Sequence, residues 1–466
     1  MQQYFSILKT KYDQSAFQKF AHELLNDVEL GKNLLEVDMP FQDHIDAFTY
    51  LGSYIDSQGK NLHVLDVVLK TQTKLEQART MQRNLIARYL KDHWIDGALV
   101  SFHSDSSPSW RLSLVKVDYK YDDKGKLKEE LSGAKRYSFI VGEGEPTHTP
   151  QSQLLKIYEQ TSTNPTLAQL EESFSIEKVT KEFFEKYRDL FEIVVAELKH
   201  NHTFINEASR NNIDTESFAK KLLGQIVFLY FLQKKGWLGV PKGNAWGEGD
   251  KNFLRGLYRK CIDNNQNFYN DYLEKLFYDT LNNPRRNEVD PSYSKYFDSR
   301  VPFLNGGLFE PPYDWQNSLI YLDNKIFGKI FDVFDLYNFT VKEDEPLEKE
   351  VAVDPEMLGK VFENLLEENL RKGKGTYYTP REIVHYMCEE SLVNHLATET
   401  GLTADDVRSK YFPAYNVLGD EKVEVRDVSV GEKIIESLGN IKVVDPACGS
   451  GAFLVGMLQQ ITQLRF

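Results

Sequence analysis

The stretch Ile441-Lys442-Val443-Val444-Asp445-Pro446-Ala447-Cys448-Gly449-Ser450-Gly451-Ala452-Phe453-Leu454 decides how this chain is read. Ile441, Val443 and Val444 make a short apolar strand, and Asp445 stands at its carboxyl end. Gly449 and Gly451 let the backbone turn tightly, and residues 452–463 read as a helix. In an open α/β sheet, ligands bind beyond the carboxyl ends of strands, where helix amino ends also point. The fold expected around this stretch is therefore Rossmann-like.

Working outward, a third unit (351–466) holds this stretch. It is expected to contain a helix from Pro355 to Leu370, a Gly/Lys-rich loop, and a second helix from Pro380 to Leu396. A mostly helical connector spans 151–350. Within it Ile176, Val179, Phe183, Tyr187, Leu190, Val194 and Leu198 step by three or four, with Ser175 as N-cap. Phe218, Leu222, Ile226, Val227, Tyr230 and Phe231 give a second stripe ending before Gly236, and both stripes read as core. Residues 285–325 are rich in Pro, Gly and Asn and read as an irregular connection. Residues 1–150 read as an α/β domain. Its first 35 residues are helical, 48–55 and 62–69 are strands joined by a turn at 56–60, and 74–92 is a helix. The runs 97–102, 111–117 and 136–141 are strands, with an exposed turn at 122–126. The fold class is thus multidomain α/β and α.

The chain has 466 residues and a formal net charge of −14, which excludes a globally basic nucleic-acid coat but not a local basic groove. The three cysteines, Cys261, Cys388 and Cys448, form no CxxC pair, so neither a disulfide framework nor a cysteine zinc site is expected. No HxxxH or HExxH spacing indicates a histidine metal site, and His200 and His202 read as helix-end residues. No GxxxxGK[ST] string occurs. The polar amino terminus is no signal peptide, and the apolar run Leu222–Leu232 is too short to span a bilayer. A soluble, cytoplasmic protein without membrane partners is the expectation.

The string from Asp445 to Leu454 resembles motif I, the S-adenosylmethionine loop of adenine-specific (N6) DNA methyltransferases. Lys374 to Val384, Lys-Gly-Thr-Tyr-Tyr-Thr-Pro-Arg-Glu-Ile-Val, resembles motif X, which precedes motif I in the γ order. Val353 to Glu363 is similar to the helix leading into that domain. Glu177–Phe184 and Leu222–Leu232 resemble the helical region of Eco57I-like type IIG restriction–modification enzymes. The resemblance implies cofactor roles for Asp445, Pro446, Ala447, Gly449 and Gly451, with Thr379, Pro380 and Tyr378 on the methionine side. Tyr377 and Tyr378 stay open between packing and contact, and Cys448 reads as a small buried thiol. Double-stranded DNA is the implied substrate, with adenine flipped from the duplex.

Motif IV, (N/D)PP(Y/F), would follow motif I in that order, and nothing after Gly451 supplies it. Glu310-Pro-Pro-Tyr313 precedes motif I and reads as a loop. The chain is accordingly expected to be the amino-terminal part of a longer enzyme, inactive alone, whose sheet a carboxyl-terminal methyltransferase and target-recognition polypeptide would complete. The apolar residues Phe453, Leu454, Met457, Leu458 and Ile461 are then expected to lack a partner surface.

Enzymes of that class carry a PD-(D/E)xK nuclease at the amino end, which would use Mg²⁺ held by two carboxylates and a Lys to activate water. Asp56, Asp66 and Lys70 are the candidates, but Val68 stands where the Lys belongs, so a non-catalytic domain is the first reading there. Lys74, Arg79, Arg83, Arg88 and Lys91 give the helix at 74–92 a basic face, read first as solvated and second as phosphate-tracking. The alternatives to a methyltransferase are a non-catalytic DNA-binding or assembly subunit and a Mg²⁺-dependent restriction nuclease.

Overall fold

The computed structural model describes residues 5–73, 75, 78–118, 132–160, 164–286, 289–304, 307–340, 348–355, 379, 381–412, 428–446, 448 and 451–465. The architecture is mixed α/β. Beyond its first residue, Pro355, the expected helix at 355–370 lies outside these residues, as do the loop at 371–378 and the turn at 122–126.

The first region follows the order α1 (Gln14–Leu25), β1 (Glu29–Leu35), β2 (Ile45–Ile55), β3 (Asn61–Leu69), α2 (Arg79–Asp92), β4 (Gly97–His103), β5 (Ser109–Asp118) and β6 (Ser132–Gly142). β7 (Tyr293–Ser294) and β8 (Ser299–Arg300) pair apart as a short hairpin, and the main sheet runs β1-β2-β3-β4-β5-β6-β9, its last strand being β9 (Glu348–Glu350). β3 is parallel to β4 across the α2 crossover and β6 is parallel to β9, while the remaining pairs are antiparallel. One expectation needs correction here: residues 29–35 are a strand, not helix. With Leu30 and Leu34 exposed, β1 buries no face, so it carries no alternating signal.

Period-2 alternation along β3 sends Leu62 and Val64 to one side and Leu65, Val67 and Leu69 to the other. The first side packs on α1 and continues into the helical core, and the second packs under α2 with Leu85, Ile86 and Leu90. That second face also carries charge. Arg79 and Arg83 of α2 are 6% and 4% exposed, so neither the solvated nor the phosphate-tracking reading of these two holds. They point onto Arg111 of β5, Arg136 of β6, and Glu348 and Glu350 of β9. The ion pairs are Arg79–Glu348 and Arg83–Glu348 at 3.8 Å, Arg136–Glu348 at 3.4 Å and Arg111–Glu350 at 3.1 Å. Arg88 does remain at the surface, paired with Asp38 at 2.9 Å.

The helical region contains α3 (His148–Tyr158), α4 (Leu167–Ser173), α5 (Ile176–His200), α6 (His202–Asn211), α7 (Thr215–Lys234), α8 (Phe253–Asp263) and α9 (Asn324–Phe334), with two π-helical stretches at Tyr269–Leu273 and Lys275–Leu281. The buried stripe of α5 is Val179, Phe183, Tyr187, Leu190, Val194, Val195 and Leu198, and α7 buries the second stripe. Ser175 is the N-cap of α5 by position, but its side chain makes no capping bond. Glu310-Pro-Pro-Tyr313 is a loop whose Tyr313 is buried. Its hydroxyl donates to Glu274, which also accepts from Asn270 at 3.0 Å. Burial pushes the Glu274 carboxyl up to about 7, more than these donors lower it. Among the described residues no helix is long and apolar enough to cross a membrane.

The last region comprises α10 (Arg381–Thr400), α11 (Ala404–Tyr411), α12 (Val428–Asn440) and α13 (Ala452–Arg465), gathered on Leu392, Val393, Leu396, Val407, Ile434 and Leu438. The strand expected at Ile441–Val444 is irregular chain that pairs with no described strand, and Val444 is 84% exposed. An isolated strand has no ladder to join, so burial cannot fix it.

Candidate functional site

Asp445 and Pro446 follow the irregular segment, and ahead of α13 the Gly451 N–H donates to the Cys448 carbonyl at 2.7 Å. Gly451 has φ +83°, the left-handed region that costs any residue with a Cβ, and the space a Cβ would take there is open. Val455 N–H donates to the Gly451 carbonyl at 2.9 Å, so α13 starts at the turn itself and aims its amino end at that open space. The open space beside Gly451 leaves room for a polar nucleoside ligand. Cys448 is exposed, not buried as its small thiol suggested. Ala447, Gly449, Pro380 and Tyr378 lie outside the described residues.

Thr379 is half-buried just ahead of α10. That helix crosses α13 closely: a Cβ on Gly456 would stand 2.8 Å from Val384, and Cys388 Sγ donates to the Phe453 carbonyl at 3.6 Å. Gln460 donates to the His385 carbonyl at 3.0 Å, so rising numbers in α10 meet falling numbers in α13 and the two helices run antiparallel. With a rise of about 1.5 Å per residue, Thr379 and Gly451 lie on opposite sides of the crossing, roughly 15 Å apart along the axes. The structure therefore joins the two motif helices side by side without bringing Thr379 to the glycine turn. Of the apolar face of α13, Met457 and Ile461 pack on the helical cluster, while Leu454 and Leu458 stay exposed.

The nuclease candidates separate. Asp56 closes the β2–β3 turn, with Oδ1 accepting from Gln58 and Lys60 N–H at 2.8 Å each and Oδ2 from Leu167 N–H at 2.8 Å. Asp66 lies ten residues on, about 17 Å up β3 from the turn at about 3.3 Å per residue, too far to share a metal ion. Its Oδ1 accepts from Ser101 at 2.7 Å and pairs with His103 Nε2 at 3.1 Å, and its Oδ2 accepts from Gln14 at 2.8 Å. Burial would lift this carboxyl, but His103, Ser101 and Tyr12 outweigh it, so the group lies below the usual range. Tyr12 stacks on His103 at 3.9 Å and closes the cluster. A carboxylate this fully hydrogen-bonded positions side chains rather than holding a cation. Lys70 stands just past the end of β3 and no described ion pair joins it to Asp66. Among the described residues no group of His, Cys, Asp or Glu is placed to hold a metal ion.

Sequence reasoning missed Ser113, Arg111 and Arg136, and the Glu348-Lys349-Glu350 strand that meets them. A signal existed: in Trp110-Arg111-Leu112-Ser113-Leu114 the polar residues repeat every two positions, which puts both on one sheet face.

No family model matches the chain, and no solved structure matches it. Among curated proteins it is 30% identical over 267 residues to a provisionally named type II restriction enzyme and methyltransferase of Methanocaldococcus jannaschii, covering 55% of this chain and 21% of that protein. It is 26% identical over 194 residues to DNA methyltransferase A of Bacillus subtilis, covering 41% of this chain and 18% of that protein. The chain is thus similar, over about half its length, to proteins named for DNA methylation and restriction, and spans about a fifth of theirs.

Proposed function

We propose that this chain carries the cofactor loop, helical region and amino-terminal domain of an adenine-N6 DNA methyltransferase in a restriction–modification system. The observation that carries the reading is Gly451, left-handed and standing directly ahead of α13, within the string that resembles motif I. Asp445, Gly451 and the first turn of α13 would hold S-adenosylmethionine, and Thr379 would reach its methionine end once the two motif helices are rearranged. When bound, that cofactor supplies an electrophilic methyl group.

This chain's residues bind and orient rather than react. The amino end of α13 offers free N–H groups to a carboxylate, and the Asp445 carboxylate suits a hydroxyl or ammonium donor. The acceptor groups of an (N/D)PP(Y/F) motif, which would take hydrogen bonds from the adenine amino group, are not in this sequence. Double-stranded DNA is the proposed substrate, and a polypeptide bearing that motif the proposed partner.

Calorimetric titration with S-adenosylmethionine tests the reading. Saturable binding is expected, weakened at least tenfold in Asp445→Ala, with no labelled methyl entering DNA from this chain alone. Absence of binding, or binding indifferent to Asp445→Ala, would overturn it.

A further inference from the structure

The chain after the π-helical stretches is irregular, yet it builds one wall of a cavity of about 550 Å³. Trp237, Trp246 and Phe303 supply the rings of its lining, Pro284 and Pro291 aliphatic surface, and Arg286 a charge. Trp246 and Phe303 are 40% and 39% exposed, so large apolar groups that folding would ordinarily bury face solvent across a concavity.

Local chain geometry fixes both walls. Past the end of α7, Gly236 has φ +70°, and a Cβ there would stand 2.3 Å from the Gly247 carbonyl oxygen. The Gly236 carbonyl accepts from the Gly247 and Gly249 N–H groups at 3.0 and 2.9 Å, closing a loop that brings the Trp237 and Trp246 rings to 6.3 Å at 60°. Val240 and Arg300 exchange both backbone hydrogen bonds, at 3.1 and 2.8 Å, which ties this loop to β8. In the opposite wall Arg285 donates to the carbonyls of Thr280, Pro291 and Val301, so its irregular backbone is held from one side chain. Proline contributes no N–H and a fixed φ, which leaves that wall apolar and stiff.

Two cations stand on the indoles. Lys235 Nζ lies 4.0 Å from the Trp237 ring centroid, and Arg300 Cζ lies 4.5 Å from that of Trp246. Both rings line the cavity and neither cation does. Arg300 is anchored by donating to Ser292 Oγ at 2.8 Å and to the Asn244 carbonyl at 2.6 Å, and it pairs with Asp290 at 3.7 Å. A cation on one face of an indole draws its π density and favours a flat, electron-rich ring on the other. Aliphatic peptide side chains gain nothing from that polarisation, whereas a nucleobase does, and a phosphate on the same ligand would suit Arg286.

We propose that this cavity binds a nucleobase that carries a phosphate, stacked on Trp237 and Trp246 with Arg286 meeting the phosphate. Its source is a free mononucleotide or an unpaired nucleotide of a single strand, since a duplex keeps both faces of its bases stacked. The site shares no residue with the glycine turn and does not rest on the cofactor reading.

Titration of the full chain with deoxyadenosine monophosphate, followed by tryptophan fluorescence and calorimetry, tests this. A saturable quench is expected, and Trp246→Ala should weaken binding about tenfold. Arg286→Gln should weaken the monophosphate several-fold and leave deoxyadenosine unaffected, a split that a merely structural role would not give. Arg286 is exposed, so this variant serves if Trp246→Ala fails to fold. Single-stranded oligodeoxyadenylate that displaces the monophosphate supports the site and makes the strand its source, whereas monophosphate binding that the strand cannot displace makes the free nucleotide its source. No saturable quench, a monophosphate affinity unchanged in both variants, duplex DNA competing as well as the single strand, or a proline-rich peptide binding where the monophosphate does not would each overturn the assignment. So would the joint loss of S-adenosylmethionine and monophosphate binding in Trp246→Ala, which would make the two sites one.

Discussion

Val67 in β3 and Val444 before the glycine turn sit in similar local sequences, Leu-Asp-Val-Val-Leu and Lys-Val-Val-Asp-Pro, yet Val67 is fully buried and Val444 is 84% exposed. β3 receives ladders from β2 and β4 and is covered by helices on both faces. The 441–445 segment has an equally strand-prone sequence with no described strand beside it. β-propensity describes how well a residue fits a pleated, half-buried surface, so the surface must exist first. The same contrast holds for charge. Glu350 would be lifted by burial, but Arg111 and Arg79 outweigh that and its carboxyl lies below the ordinary range. Glu274, buried among tyrosines, is lifted instead, because burial outweighs its hydrogen bonds and the weaker pull of Lys275.

The sharpest way to break this comparison is Glu348→Ala. It leaves Arg79, Arg83 and Arg136 without their shared carboxylate, and removing one partner of a buried pair costs about 3–5 kcal/mol. Urea unfolding should show that loss, and a midpoint unchanged from the parent would mean the layer is already neutralised another way. The next effect is pH-dependent. The folded chain holds the Glu274 proton up to about 7, whereas the unfolded chain releases it near 4.5. The folded state therefore binds more protons in that window, and its stability falls as pH rises through it. Unfolding at pH 5 and pH 8 should show this slope in the parent and a shallower one in Glu274→Gln.

Smaller still is a matched pair of truncations. Val67→Ala should cost roughly 1–3 kcal/mol through lost burial and a cavity, and Val444→Ala within about 0.5 kcal/mol of nothing. Equal costs would show that 441–445 is packed after all. The smallest effect is expected from Arg88→Ala. Its pair with Asp38 is partly solvated, so at most about 0.5 kcal/mol should be lost in the same assay, far below the loss from its buried helix-mates.

What could be read in advance follows from where each partner lies in the sequence. The α5 stripe is legible because all its information sits at three- and four-residue spacing within one helix. The glycine turn is legible as a motif, since a tight bend and a helix start are local. The burial of Arg79 and Arg83 is not, because the carboxylates that make it tolerable arrive more than 260 positions later. Nor is β1, whose side chains are mostly solvated and leave no periodic trace. Asp56 and Asp66 looked like a pair of metal ligands by spacing, while their oxygens are occupied by a turn and by a tyrosine–histidine cluster contributed from other elements.

The return of β9 to the edge of β6 has a consequence for biosynthesis. Arg136 and Glu348 are 212 positions apart, and a ribosome adding about 5–20 residues per second needs roughly ten to forty seconds to make the second after the first. During that interval the nascent domain must either keep its arginine strands open to water or shelter them with a chaperone or a borrowed anion. The order of translation thus lets the first sheet close only after the whole helical region has been made.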